Sequence, residues 1–377
     1  MADTSYRLLI NGSPAAQELI DAIAQIEVED DAGLASAFRL RLPIGLTADG
    51  DWTWVAEDIF KPLTPVAISV RVGTATEQII SGYVTSHRIH FDDSPGASFF
   101  EVAGMDAGTL LNLEEKVVAW KNMADSDVAS QIFAARDFDA KVDSTQPSYS
   151  ENDVTIIQRG SDLAFLRRLA RRNGFEFFFE SDPTTGKVTG HFHKPDLSGQ
   201  PQRDLALAFG EGRNVKTLEA NYDALRPRIA EAYGVALADK SEQSASSTST
   251  SLDPLGATAV LDELSQQPKA LLARAGAFEN AELQARVQAA VDTSSWAISL
   301  SGEVDVTAYQ AVLRARRGVL VKGAGSRYSG TYYVASVLHT LTRDSYSQKF
   351  QLQRNALGLK GGEPFGAGAG LALSLSI

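Results

Sequence analysis

Apolar and polar residues alternate in several short stretches near the start of the chain. This two-residue period predicts β-strands with one buried face and one solvated face. The Asn11-Gly12 pair follows the first stretch and predicts a tight turn. Further strands are expected at residues 79–91 and 99–103, so about residues 1–110 are predicted to form an antiparallel barrel or sandwich. The alternating apolar residues are Tyr6, Leu8, Ile10, Phe38, Leu40, Leu42, Val66, Ile68, Val70 and Val72.

The periodicity changes to a helical one after about residue 110. Apolar residues one turn apart predict a helix at 126–135, which Asp125 or Ser126 would lead. With a second helix at 161–173 and a strand at 175–180, this region is predicted to be a small α+β insertion, assigned to residues 111–200.

Strand patterns return in the second half and predict a second β-barrel, assigned to residues 201–238 and 280–357. The interval 239–279 is assigned as a linker and helical segment, because the Ser/Thr-rich tract 240–251 has the composition of a flexible loop. Asn280 is expected to cap a helix at 281–291. Residues 358–377 are assigned as a flexible tail. The predicted strands lie at 205–209, 215–222, 296–300, 319–321, 332–341 and 349–353.

The segment 158–179 joins a helix cap, an apolar helix face, a helix stop and an aromatic strand. Ser161 or Asp162 can accept a free backbone N–H at the helix start, and Gly174 can adopt the left-handed conformation that ends a helix. The residues after Gly174 are too aromatic to be anything but a buried strand.

This segment resembles a signature of the phage late-control protein D family, which includes the baseplate hub of contractile tails and the N-terminal hub region of VgrG spike proteins. The end of the chain is similar to that family's last barrel hairpin, at 323–340 and 349–355, and residues 82–86 and 102–106 extend the resemblance. The residues that match the signature are Gln158, Ser161, Asp162, Phe165, Leu166, Arg168, Leu169 and Gly174.

The resemblance implies a mainly β (α+β) fold with two antiparallel β-barrel modules and a small α+β insertion. It also implies a homotrimer, in which six barrels imitate six-fold symmetry and so join a hexameric inner tube to a trimeric spike. The implied partners are the inner tube protein, a separate spike protein and other baseplate components. Because identical chains would meet head to tail, closure of such a ring is cyclic.

Composition restricts the function classes. The 377 residues include no cysteine, which excludes disulfides, thiolate metal sites and cysteine nucleophiles. No apolar run is long enough for a membrane helix, and the first residues lack a leader for Sec export. We therefore expect folding in the bacterial cytoplasm, and later a place in a virion or injection particle.

The net charge of −12 is unevenly distributed along the chain. Residues 1–160 contain 11 Lys/Arg and 25 Asp/Glu, a balance of −14, and residues 161–377 contain 24 and 22, a balance of +2. The acidic first half disfavours specific nucleic-acid binding. It suits either a conduit wall that must not hold cargo or a solvated surface that aids solubility.

The five histidines give one candidate metal pair. His191 and His193 are two residues apart on a predicted strand and share a face, with Asp196 as the nearest third ligand. We interpret them as a surface or hairpin pair and predict no metal site. His87 and His90 should face opposite sides of a strand. His339 is expected to pack or to form hydrogen bonds.

Other candidate chemistry is weak, and we predict no catalytic residue and no cofactor. The adjacent carboxylates at 92–93 and 114–115 fit exposed turns better than a glycosidase pair. The glycine-rich segments 210–214 and 323–326 lack the lysine and hydroxyl residue of a phosphate loop. Arg167, Arg168, Arg171 and Arg172 form a basic helix face, for which a solvated or ion-paired subunit contact is favoured over phosphate binding.

Period-two alternation returns at the last residues of the chain. Such a tail can add to a partner's sheet edge, so we predict that it docks the spike, with a disordered terminus as the alternative. The predicted contact residues are Leu371, Leu373, Leu375 and Ile377.

The function predicted from sequence is a structural, non-enzymatic hub of a contractile injection system, such as a phage tail, a tailocin or an extracellular injector. The alternatives are a baseplate-associated cell-wall hydrolase and a free-standing carbohydrate-binding adhesin. A hydrolase would show activity in zymography, and an adhesin would stay monomeric and bind glycans.

Overall fold

The protein is mainly β, with most neighbouring strands antiparallel. A computed structural model describes residues 4–55, 58–151, 155–207, 212–236, 239–272 and 280–363. The fold class predicted from the sequence is confirmed. Among the described residues, no helix is both long and apolar enough to cross a membrane.

The first module consists of seven strands, one short α-helix and a 3-10 helix at Asp58–Phe60. Its alternating stretches form strands as predicted, and the apolar residues of the alternation point into one core. Asn11 and Gly12 both have positive φ and make the turn between the first two strands. The elements are β1 (Thr4–Ile10), β2 (Ser13–Pro14), α1 (Gln17–Ala22), β3 (Gln25–Asp31), β4 (Ala37–Pro43), β5 (Pro65–Val72), β6 (Ala75–His90) and β7 (Phe99–Asp106).

The α+β insertion follows β7. Its two helices pack with the aromatic residues of its strands into a separate core. The helix predicted at 126–135 begins at Asp125, and the backbone N–H of Ala124 donates to Asp127 Oδ2 at 2.9 Å. The elements are β8 (Glu115–Trp120), α2 (Asp125–Ala134), β9 (Asp139–Val142), β10 (Ile156–Ser161), α3 (Asp162–Asn173), β11 (Glu176–Ser181) and β12 (Val188–His193).

The rest of the chain supplies the second β-module and a smaller layer beside it. The hairpin strands of the second module lie where the sequence predicts them. The elements are β13 (Gln202–Ala206), β14 (Val215–Tyr222), β15 (Ile229–Val235), β16 (Glu242–Ser247), β17 (Thr258–Ala259), α4 (Val260–Glu263), β18 (Lys269–Leu272), α5 (Asn280–Ser294), β19 (Ile298–Asp305), α6 (Val306–Tyr309), β20 (Gly318–Lys322), α7 (Gly325–Tyr328), β21 (Gly330–Thr342), β22 (Tyr346–Arg354) and β23 (Ala356–Leu357).

The interpretation of the Ser/Thr-rich tract 240–251 as a flexible loop is wrong. Its residues Glu242–Ser247 form β16, which pairs antiparallel with β15, while β18 pairs parallel with the other edge of β15. Helix α5 covers one face of this three-stranded sheet with Leu283, Val287 and Val291. Asn280 is the first residue of α5, and the helix runs three residues beyond the predicted end.

One sheet of 13 strands runs through both β-modules. Its order is β14-β19-β22-β21-β3-β4-β7-β6-β5-β1-β2, and β20 and β13 extend it beside β21. Two distinct apolar cores lie against this sheet, one in each module. The modules are therefore joined through backbone hydrogen bonds and not by a linker alone.

Candidate functional site: the seam between the two modules

Strand β21 belongs to both modules. Its first residues pair with β20 of the second module, and from Ser336 onward the same edge pairs with β3 of the first. The partner strand changes from β20 to β3 at a β-bulge around Ala335, whose carbonyl accepts the Ala32 N–H at 2.8 Å. We call this β3–β21 contact the seam.

Asp30 of β3 is the buried ionic centre of the seam, with 1% of its surface exposed. Its carboxylate accepts from Arg314 Nε at 3.0 Å, from the Ala315 N–H at 3.1 Å, from Ser36 Oγ at 3.4 Å and from Arg316. Burial alone would raise the pKa of Asp30, but the charges of Arg316 and Arg314 hold it well below its usual range. One first-module carboxylate thus holds two second-module arginines.

Arg316 extends the seam to the insertion. Its guanidinium carbon lies 4.4 Å from the centroid of the Phe178 ring. Phe178 also stacks on His191, with the two ring centroids 4.2 Å apart. His191 Nε2 is 3.2 Å from Glu180 Oε2. The hydrogen bond with His191 lowers the pKa of Glu180 to about 2. All three parts of the chain therefore meet at Arg316.

His191 and His193 lie on the β11–β12 hairpin, as one of the two predicted alternatives has it, but the surface alternative is wrong because both side chains are buried. His193 Nδ1 lies 2.6 Å from the Lys194 carbonyl and so donates to it, which leaves His193 Nε2 to accept from His191 Nδ1 at 3.1 Å. Burial lowers the pKa of His193. Within the described ranges, no group of three His, Cys, Asp or Glu residues is placed to hold a metal ion.

His339 lies on the core side of the seam and is fully buried. Its Nδ1 is 2.8 Å from Tyr346 Oη and 3.1 Å from Gln348 Nε2, and Gln348 in turn bonds both backbone groups of Leu313. Burial, with the nearby charge of Arg314, lowers the pKa of His339 to about 3. The predicted hydrogen-bonding role of His339 is confirmed.

Glu176 at the start of β11 connects the insertion to β21. Its carboxylate accepts from Tyr333 Oη at 2.5 Å. Burial raises the pKa of Glu176 to about 7, although this hydrogen bond and the charge of Arg316 oppose the shift. Burial likewise raises the pKa of Asp106 to about 6, and the N–H groups of Ser36 and Gly108 partly offset it.

The signature helix α3 has the capped form that the sequence predicts. Ser161 Oγ accepts the Ala164 N–H at 3.3 Å, and Gly174 ends the helix with φ of 68°. A Cβ at Gly174 would lie 3.0 Å from Ala289 Cα of α5, so close packing also disfavours a side chain there. Gln158 is buried and donates to Asp162 Oδ1 at 2.7 Å.

The Arg-Asn pair at the end of the last hairpin has a structural explanation. Arg354 is fully buried and donates to the backbone carbonyls of Leu255, Ser329 and Gly358. Asn355 Oδ1 accepts the Leu255 N–H at 2.9 Å. The pair therefore fixes the loop before β17 against β22.

The predicted basic face of α3 divides into two groups. Arg172 pairs with Asp125 of α2, and Arg168 donates to the Ile157 carbonyl at 3.1 Å. Arg167 and Arg171 instead line an open cleft.

The remaining sequence candidates lie apart from the seam. Asp92 accepts the Ser94 N–H in a turn, as expected for an exposed carboxylate. His87 contacts the Phe60 carbonyl at 2.6 Å and His90 stacks on Phe99. The segment 323–326 lies in the connection between β20 and β21.

The predicted spike contacts Leu371, Leu373, Leu375 and Ile377 lie outside the described residues, so their role stays a prediction. Sequence reasoning missed Asp30, Arg314 and Arg316. Arg314 and Arg316 lie in the loop between α6 and β20 and not in a strand, so no strand or helix period marks them in the sequence.

Comparison with solved structures places this architecture among phage-tail and VgrG-type folds. A tail protein from Neisseria meningitidis superimposes with a TM-score of 0.63 at 14% identity, covering 93% of this chain and 97% of that chain. A 43 kDa prophage tail protein from Shewanella oneidensis gives 0.63 at 15% identity, covering 94% and 100%. A component of the E. coli type VI secretion system gives 0.55 at 14% identity, covering 93% and 76%.

The chain belongs to the family described as the Alg8 N-terminal domain, whose model matches residues 2–343. A search of curated proteins finds no match. The phage-tail-like fold implied by the sequence resemblance is confirmed by the similarity to these solved structures.

Proposed function

We propose that this protein is the structural hub of a contractile injection system. Three copies form a ring in which six β-modules imitate six-fold symmetry. The ring joins a hexameric inner tube to a trimeric spike, and cargo passes through its centre. No chemical step by the chain is part of this function.

The observation that carries the proposal is the seam. A ring that must present six similar positions from three chains needs two modules held at a fixed angle and spacing. Backbone pairing along β21 and the buried Asp30 network meet this requirement, because neither tolerates gradual sliding of one module past the other. The tail-protein fold of the similar structures supports the same role.

The proposed partners are two further copies of the chain, the inner tube protein, a separate spike protein and other baseplate components. Assembly would occur in the bacterial cytoplasm, before the protein becomes part of a virion or injection particle. Docking of the spike by residues 361–377 is a further part of this proposal. Their deletion should abolish co-assembly with the spike, and unchanged co-assembly would contradict it.

The direct test is reconstitution with candidate tube and spike proteins of a contractile injection system. We expect the purified chain to cap tube ends in electron micrographs and to recruit the spike at the opposite side. A chain that binds neither protein would contradict the hub function. Zymography and glycan-array binding of the same preparation test the hydrolase and adhesin alternatives.

A further inference from the structure

A cleft of about 1420 Å³ opens where the insertion, α5 and the second module meet. Helix α3 forms one wall and α5 another, and residues of β21 and β22 contribute to the floor. Arg167 and Arg171 of α3 line it, as do Arg226 and Arg228 just before β15. We call this the arginine cleft.

These four arginines differ from the other arginines of the cleft. Arg172 pairs with Asp125, and Arg286 pairs with Glu282 at 2.7 Å. By contrast, Arg167, Arg171, Arg226 and Arg228 form no salt bridge within the part of the chain that the structure describes.

The acidic groups of the cleft do not cancel the charge of these arginines, because the lining has six arginines and only three carboxylates, Asp31, Glu176 and Asp292, of which Asp31 and Asp292 are also held by local hydrogen bonds. Asp31 Oδ1 accepts the N–H groups of Gly33 and Leu34 at 2.7 and 2.8 Å. Asp292 accepts from the Ser251 N–H at 2.6 Å and from other polar groups of the same loop. The accessible guanidinium groups therefore give the cleft a positive potential on a chain whose net charge is −12.

The size and lining of the cleft favour a polypeptide occupant. Its volume exceeds the ~300–1,000 Å³ of ordinary small-molecule sites. Single-stranded nucleic acid needs exposed aromatic faces, but Trp296 and Tyr333 stack on each other and are 8% and 3% exposed. Phe175 also packs edge-on against Phe192. A segment with acidic side chains fits both the charge and the partly apolar floor.

We propose that the arginine cleft receives the acidic first module of a neighbouring copy of this chain. The charge balance supplies the reason, since residues 1–110, which form the first module, contain 6 Lys/Arg and 16 Asp/Glu, a balance of −10. Head-to-tail contacts need two different, complementary surfaces on each subunit, and this asymmetry provides them. Exposed carboxylates of the first module include Glu18, Asp49 and Asp51. The inference rests on the proposed trimer and identifies the surface through which it closes.

The test uses the full chain with two substitutions in the cleft, Arg171→Glu and Arg228→Glu. Both side chains are exposed and form no salt bridge among the described residues, so folding should not change. We expect the trimer dissociation constant, from sedimentation velocity and native mass spectrometry, to rise by roughly tenfold or more. The matched control reverses two exposed charges outside the cleft, Lys216→Glu and Arg343→Glu, and should leave the trimer intact.

A conservative variant provides both a rescue and a contact map. Arg171→Lys with Arg228→Lys keeps the charge and should keep the trimer. A zero-length carbodiimide cross-linker should join the introduced amines to carboxylates of residues 1–110 in another copy. Mixing isotope-labelled and unlabelled chains distinguishes such links from those within one copy.

The outcomes separate the inference from the proposed function. If the wild type forms trimers that the cleft reversal leaves unchanged, or if the cross-links reach other parts of the chain or another protein, the cleft assignment is wrong and the hub can stand. If the wild type stays monomeric even with its tube and spike proteins, the trimer itself is wrong.

Discussion

Arginine residues serve different purposes at the seam and in the arginine cleft. At the seam, Arg314 and Arg316 have 13% and 6% of their side-chain surface exposed and both bind Asp30. In the cleft, Arg171 and Arg228 are exposed and form no salt bridge among the described residues. Buried and paired arginines hold the chain together, whereas accessible and unpaired ones leave charge for another molecule.

This difference separates internal stability from assembly. Breaking a buried ion pair strands a charge away from water, which costs several kcal/mol. Removing an exposed charge without a partner costs almost nothing in the isolated chain. Substitutions in the two regions should therefore produce opposite patterns of stability loss and assembly loss.

The largest expected effect follows removal of the seam carboxylate. Asp30→Ala leaves Arg314 and Arg316 without their shared partner, so the free energy of unfolding in urea should fall by about 3–5 kcal/mol. The control is Glu27→Ala on the same strand. Glu27 pairs with the exposed Arg39 at 3.1 Å, and its loss should cost under about 1 kcal/mol. Equal losses would contradict the role of Asp30.

Glu176 lies on the wall between the two regions and should make stability fall as pH rises. Its pKa is raised from 4.5 to about 7 in the folded protein, so the folded state binds the proton more tightly than the unfolded state. The stabilisation is complete below pH 4.5 and is lost by about pH 7, at a cost of at most ~3 kcal/mol. Glu176→Gln should flatten this part of the profile of unfolding free energy. Superimposable profiles would contradict the shift.

His339 should give the opposite pH dependence. Its pKa is lowered from 6.5 to about 3, so the unfolded state binds the proton first. Stability should decline by up to ~1.4 kcal/mol per pH unit as pH falls below 6.5. The measurement compares Glu176→Gln with the double variant Glu176→Gln/His339→Gln, because Glu176→Gln removes the opposing pH dependence. Adding His339→Gln should remove the slope of unfolding free energy in urea titrations between pH 7 and 4.5. A slope that persists in the double variant would assign it to another group.

The smallest expected effect is on the stability of the cleft variants. Arg171→Met with Arg228→Met should change the free energy of unfolding of the monomer by less than about 0.5 kcal/mol. Urea titration at a concentration where the wild type is dissociated gives this value. A loss as large as that of Asp30→Ala would show that the cleft arginines serve the fold and not assembly.

Local patterns predicted much of the fold. The alternation of apolar and polar residues located the strands of the first module, because the buried side chains of each strand lie on one face of the sheet. The cap and stop of α3 were predicted from Ser161 and Gly174, since these residues act through neighbouring backbone. In contrast, β16 is made of small polar residues that carry no hydrophobic period, and its pairing with β15 fixes it as a strand.

The seam could not be predicted in the same way. Asp30 and Arg316 are separated by 286 positions, and only the pairing of β3 with β21 brings them together. The burial of His191 likewise depends on Phe178 and on the approach of Arg316. Long-range contacts of this kind have no local sequence signal.

In the proposed hub, three chains present six modules around one axis. Electron microscopy of the purified full chain, with class averages along the ring axis, tests it most directly. We expect three-fold rings with six similar lobes of density. Rings with another number of lobes, or single particles at every concentration, would contradict it.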